Sequence, residues 1–181
     1  ACDGDVLILG KGLGIGVLVA ALRKEMLSAA GYAQLIATTT QLNTVGRTLA
    51  LMPGVHALTD VTGFGLLGHL LEMCRGAGLS AELKFDQVPV LPEALALAQQ
   101  GIGTGATDRN LASYGGEVDF APQSQDWQQR LLADAQTSGG LLVSVAPEAA
   151  DSVLASFREA GFVQAAVIGK MKPGAPRVAV V

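Results

Sequence analysis

The chain has 181 residues, with 12 Lys+Arg against 16 Asp+Glu and a formal net charge of −4. Half of it is hydrophobic, 15% is charged and only 4% is aromatic, at a mean hydropathy of +0.41. This composition excludes intrinsic disorder, and a mildly acidic chain with no basic run argues against nucleic acid as a partner. The length suits a single domain, 1–181, able to bury about two-thirds of the surface its unfolded chain exposes. Cys2 and Cys74 form neither a disulfide framework nor a zinc signature, which points to a reducing, cytoplasmic setting. Gly12–Leu22 is uncharged, but Arg23-Lys24-Glu25 interrupts it far short of the roughly 20 apolar residues that span a bilayer. It reads as a buried helix and not as a membrane segment. Many small apolar residues with few charges suggest that another domain or subunit covers part of the surface.

In chain order, short apolar runs alternate with helical patterns. Asp5–Leu9 reads as a strand. Ile15, Leu18, Leu22 and Met26 recur at helical spacing, with Gly31 as the stop. A second helix is expected over Gln41–Met52, closed by Pro53-Gly54. Val55–Thr59 is a strand, followed by a helix from about Gly65 to Arg75 with Gly76 closing it. Ser80–Phe85 is a third strand, and Pro92 opens a helix to about Gln100. Gly101–Gly116 is the longest stretch with turn chemistry. Glu117–Phe120 is a short strand, Gln125–Ala133 a helix, Leu141–Val145 a buried strand and Pro147–Ala160 a helix. Val163–Lys170 and Arg177–Val181 are terminal strands, with Pro173-Gly174 as a hairpin turn. Alternation of this kind implies a layered α/β architecture, helices packed on a sheet.

The segment Thr59-Asp60-Val61-Thr62-Gly63-Phe64-Gly65-Leu66-Leu67-Gly68-His69 concentrates the chemistry. Asp60 at a strand end offers a hard oxygen to Mg²⁺, which prefers one or two carboxylates plus phosphate oxygens. Gly63 and Gly65 permit close backbone approach, and a helix N-terminus presents N–H groups to an anion. Asp60 or Thr62 acting only as a helix cap explains the same pattern. Gly63-Phe64-Gly65-Leu66-Leu67-Gly68 also matches the dinucleotide fingerprint formally, with Glu82 lying 19 residues after Gly63. Against that reading, Asp60 stands where the apolar strand should continue, and Glu82 falls near the start of its strand. The Gly10–Gly16 cluster fits neither the P-loop spacing nor the dinucleotide fingerprint, and Gly101–Ala106 follows a helix, the wrong context for G-x-G-x-x-A. Asp134–Gly140 gathers acceptors, hydroxyls and two glycines before a strand, which a tight turn explains equally well. His69 is expected on the polar face of its helix beside Glu72, His56 in a strand and Cys74 as a small buried hydrophobe. Cys2 has no base near it in sequence. Arg109-Asn110 is expected in a solvated loop able to contact phosphate, and no catalytic residue is assigned.

Taken together, these segments resemble the selenide, water dikinase (selenophosphate synthetase) family. The eleven residues Thr59–His69 look like its signature. Gly4–Leu9 with Lys11 and Leu13-Gly14, then Gly105–Asn110, then Gln136–Leu142, match that family in order. The chain is similar only to the family's C-terminal half. The resemblance implies the fold of the C-terminal domain of the aminoimidazole ribonucleotide synthetase superfamily. It also implies an enzyme making selenophosphate from selenide, ATP and water, with AMP and orthophosphate released. Dimerisation through the N-terminal domain is implied too. The nucleophilic Cys or selenocysteine, its Lys partner and most Mg²⁺-binding aspartates are expected in that absent N-terminal half. Asp60 carries over as the metal ligand, with Thr62, Gly63, Phe64 and Gly65 as its ATP-proximal surroundings, so the isolated chain is expected to fold but not to catalyse. Two departures stand out. Lys11-Gly12-Leu13-Gly14-Ile15-Gly16 replaces the family's Lys-Pro-Leu-Gly-Thr-Gly, removing a hydroxyl and a rigid residue, and Ala135 replaces a Pro before Gln136. A dinucleotide-binding oxidoreductase domain and a non-catalytic interaction domain of the same fold are the alternatives.

Overall fold

Strand and helix patterns resolve, in the computed structural model describing residues 1–181, into one seven-stranded sheet with helices on both faces. The strands are β1 (Val6–Leu9), β2 (Val55–Asp60), β3 (Ser80–Leu83), β4 (Val118–Phe120), β5 (Leu141–Val145), β6 (Ala166–Lys172) and β7 (Val178–Val180). Their order is β2-β5-β1-β6-β3-β7-β4. Pairings are antiparallel except β3–β7 and β4–β7. The helices are α1 (Ile15–Arg23), α2 (Ala29–Thr40), α3 (Gly46–Leu49), α4 (Gly65–Ala77), α5 (Pro92–Gln99), α6 (Gly105–Tyr114), α7 (Asp126–Leu132) and α8 (Ala150–Glu159).

The two-residue period of a strand divides the core. Leu7 and Leu9 join a cluster of 32 buried residues fed by α1, α4, α5 and α7, while Ile8 turns to a second cluster of 11 with α3 and α8. Likewise Leu142 faces the larger core, and Leu141, Val143 and Val145 face the smaller. Every residue of β5 is therefore buried, which is why four of its five residues are apolar, Ser144 being the exception. At Gly10 an added Cβ would sit 2.6 Å from the Phe157 ring, so a glycine lets α8 close onto the sheet. The smaller core covers only the β2-β5-β1 side. Beyond it, the same face of β6, β3, β7 and β4 carries ion pairs, Lys172 to Glu82 at 2.8 Å and Arg177 to Asp119 at 2.8 Å.

Several expectations are corrected. α1 stops at Arg23, leaving Met26 47% exposed, and a separate α2 follows that the sequence reading missed. The expected helix over 41–52 shrinks to the four residues of α3. Gly105–Tyr114 is helix and not turn, so Arg109 and Asn110 stand on α6. Pro173-Gly174 is no hairpin turn, because β3 lies between β6 and β7. The dinucleotide reading also fails on topology. That motif needs neighbouring parallel strands around its helix, whereas β5, β1 and β6 separate β2 from β3, and Glu82 is engaged with Lys172.

Candidate functional site

The turn after β2 is held mainly through its backbone carbonyls. Thr62 O accepts from Gln136 N at 2.9 Å and from Gly65 N at 3.1 Å. Gly63 O accepts from the Asn110 side-chain amide at 2.9 Å, and that amide also donates to Ala133 O at 3.0 Å. Phe64 O accepts from the Tyr114 hydroxyl at 2.6 Å, and burial pushes that phenol above its ordinary range. Gly65 has φ +69°, and a Cβ there would lie 2.6 Å from the Ala133 carbonyl carbon, so conformation and space both demand glycine. At Gly63 a Cβ would meet nothing within 4 Å.

Asp60 closes edge strand β2, paired only with Leu141 of β5. Its carboxylate is exposed and accepts no hydrogen bond from the chain. Gly63 and Phe64 are exposed beside it, Phe64 by 55%, while Thr62 is half-buried and Gly65 is buried. Leu66 and Leu67, at the start of α4, have no exposure. His69, expected on the polar face, is buried instead. Its Nε2 lies 3.1 Å from Thr62 Oγ1, and Nδ1 lies 3.1 Å from Glu72 Oε2 without the alignment of a hydrogen bond. A free carboxylate at a strand end, beside an open glycine, fits one ligand of a Mg²⁺ ion that draws its other oxygens from phosphate and water. It does not by itself make a complete metal site.

Two clusters that sequence left apart meet behind this turn. Helix α1 has no cap of its own after Gly14, whose φ is +119°. Gln136 Oε1 accepts from Gly14 N and Ile15 N, both at 3.2 Å. Asp134 Oδ2 accepts from Gly16 N at 2.9 Å and Val17 N at 3.3 Å. Two side chains thus satisfy four orphan N–H groups of one helix start. Gly16 is required because a Cβ there would meet Asp134. Burial pushes the Asp134 carboxyl up to about 6 despite these donors, in keeping with an Oδ1 that has no partner. Lys11 is also buried and donates to Thr38 O at 3.1 Å, Gln41 O at 2.7 Å and Ser138 O at 2.7 Å. It ties the end of α2 to the 134–140 loop, and burial lowers its amine.

Beside that loop lies an open cavity of about 410 Å³, lined in part by Arg23, Thr104, Gly105, Arg109 and Thr137 and by no carboxylate. Neither guanidinium has an acidic partner, whereas Asp108 on the same helix is taken by Arg130 at 2.7 Å. Arg23 carried no signal in sequence, and Arg109 carried one only as a loop residue. Cys74 is buried as expected, its thiol pushed up to about 11 by desolvation. The two histidines are far apart in role: His56 lies against Asp5 at 2.8 Å, not near His69.

Comparison with known proteins bears on this arrangement. The family model for the AIR synthase related protein, C-terminal domain, matches residues 3–181. A selenide, water dikinase from Burkholderia pseudomallei (strain K96243) is 59% identical over 175 residues, 97% of this chain and 49% of the relative. The chain spans about half the length of the curated relatives it matches. Among solved structures, the hydrogenase maturation protein HypE of E. coli superposes with a TM-score of 0.71 at 22% identity, over 99% of this chain and 46% of that one. A HypE structure in complex with ATP gives 0.67 at 22% identity, over 99% and 48%. At those identities the likeness is one of fold.

Proposed function

The chain belongs to the family of AIR synthase related protein C-terminal domains, and from that premise we propose that it is the C-terminal half of a selenide, water dikinase. The proposed enzyme makes selenophosphate from selenide, ATP and water, with AMP and orthophosphate as the other products. The observation that carries this reading is 59% identity across 97% of the chain to a protein of that name. The free carboxylate of Asp60 within Thr59-Asp60-Val61-Thr62-Gly63-Phe64-Gly65 supports it. In this proposal Asp60 supplies one oxygen to Mg²⁺ bound with ATP, and the open backbone at Gly63 lets the nucleotide approach. Mg²⁺ there would neutralise charge on the phosphates, the main demand of phosphoryl transfer along with positioning. The unpaired Arg23 and Arg109 lend the neighbouring cavity the same sign of charge.

The nucleophile, its lysine and the other metal-binding aspartates are proposed to reside in an N-terminal domain, through which the full enzyme forms a homodimer in the cytoplasm. No helix of the chain is long and apolar enough to cross a membrane. Residues 1–181 then form one domain that folds alone and is silent without that half. Calorimetric titration with Mg-ATP tests this on the chain alone and mixed with the N-terminal half of the Burkholderia relative. Binding in the mixture only, weakened by Asp60→Ala, is the expected result. Tight binding by the isolated chain would mean a complete nucleotide site within these residues and would overturn the shared-site reading.

A further inference from the structure

The sheet end away from Asp60 gathers three side chains of metal-ligating type that the proposed chemistry does not use. A tight turn begins it. Asp5 N donates to Cys2 O at 3.2 Å, with Gly4 at φ +81°, so Cys2 folds back over Asp5. Asp5 is 2% exposed, and its Oδ2 accepts from Cys2 N at 2.8 Å and Ser144 Oγ at 2.6 Å. Its two oxygens lie 2.8 and 3.0 Å from Nδ1 of His56, which enters from the start of β2. One ligand atom each from Cys2, Asp5 and His56 all lie within 4.8 Å of one another.

We infer that Cys2, Asp5 and His56 form a binding site for a borderline divalent cation of the zinc type. The donor set selects the class. A thiolate, an imidazole and a carboxylate suit Zn²⁺ and its neighbours, whereas Mg²⁺ and Ca²⁺ take oxygen alone. Bonds of roughly 2.0–2.3 Å place tetrahedral ligands about 3.4–3.7 Å apart, so no pair within the 4.8 Å limit has to close by more than about an ångström, while the 2.8 Å Asp5–His56 contact has to open. Two of its members can supply that, because Cys2 and His56 are exposed. The third is anchored. Asp5 O accepts from Met171 N at 2.8 Å, and Ser144 and the Cys2 amide hold its carboxylate, as the outer bonds of a ligating carboxylate do. The cation takes the place of the Asp5–His56 contact, with water completing four-coordination. His56 and Asp60 stand four residues apart on one strand, about 13 Å at 3.3 Å per residue. The site is therefore separate from the proposed Mg-ATP turn and does not depend on that reading.

Chelator-treated chain titrated with Zn²⁺ against a chromophoric competitor, and with Co²⁺ for a thiolate-to-metal charge-transfer band, tests the assignment. One equivalent of each metal is expected, with the band present. Cys2→Ser abolishes the band, Cys2→Ser and His56→Gln each weaken Zn²⁺ binding at least ten-fold, and Asp60→Asn changes neither. Asp5→Asn risks the fold, so the two exposed positions carry the decision. No stoichiometric binding, binding without the band, or affinity unchanged in both variants means that Asp5 and His56 form only a structural pair. Loss of the band in Cys74→Ser with Cys2→Ser unaffected would equally overturn the site.

Discussion

Asp60, at the end of β2, and Asp134, in the loop after α7, flank the same glycine-containing turn, yet their surroundings are opposite. Asp134 is 1% exposed, with one oxygen taken by two N–H groups of α1 and by the Gln136 amide. Asp60 is exposed and bonded to nothing through its side chain. Buried and bonded, a carboxylate is scaffold, since losing it strands the donors it served. Exposed and unbonded, it contributes almost nothing to the fold and remains available to a ligand.

The sharpest way to break that contrast is to delete both groups. Asp134→Ala should lose about 2–4 kcal/mol by urea denaturation, combining a lost helix cap with buried unsatisfied donors. Asp60→Ala should stay within about 0.5 kcal/mol, and a comparable loss there would make Asp60 scaffold too. The glycines divide in the same way. Gly65→Ala should cost about 2 kcal/mol, from its positive φ and its contact with the Ala133 backbone. Gly63→Ala should leave the thermal midpoint unmoved while reducing Mg-ATP binding in the two-half mixture. The remaining effect concerns pH. The Asp134 carboxyl stands near 6 against an ordinary 3.8, so the folded chain retains a proton that the unfolded chain releases between those values. Its contribution to stability is full below about pH 4 and declines as pH rises through 6. Asp134→Asn, which does not titrate, should therefore gain on the parent between pH 4 and 7 by up to about 3 kcal/mol. A flat difference would mean that Asp134 is ionised in the native state throughout.

Sequence patterns disclosed what rests on local periodicity. Leu141–Val145 was legible to the residue as a buried strand, and Pro92 marked the start of α5. Residues 105–114 were hidden because Gly, Thr, Asp and Asn read as turn chemistry. Their helix buries Thr107, Asn110 and Tyr114, spaced three and four apart, and that polar stripe was the available signal. Helix α2 was hidden because Ala29–Thr40 buries only Gly31 and Leu35. Its start depends on distant Glu93, which accepts from Ser28 N at 2.9 Å. Asp60 and the surrounding turn were legible as a cluster. The donors that Asp134 and Gln136 serve lie 117 to 122 residues away in sequence, and no local pattern announces such a partner. Nor did sequence join Cys2 to His56, which only the Gly4 turn and the β2 register bring together.

The strand order has a kinetic consequence. Each pairing joins one of β1–β4 to one of β5–β7, so no two strands made before Leu141 bond to each other. A nascent chain lacking its last 41 residues holds four strands and no ladder, with every helix but α8 already made around them. Closure of the sheet must wait for β5 and β6 to thread between partners made far earlier, the kind of non-local assembly that folds slowly. During synthesis those waiting edges are what a chaperone, or another unfinished copy, would meet first.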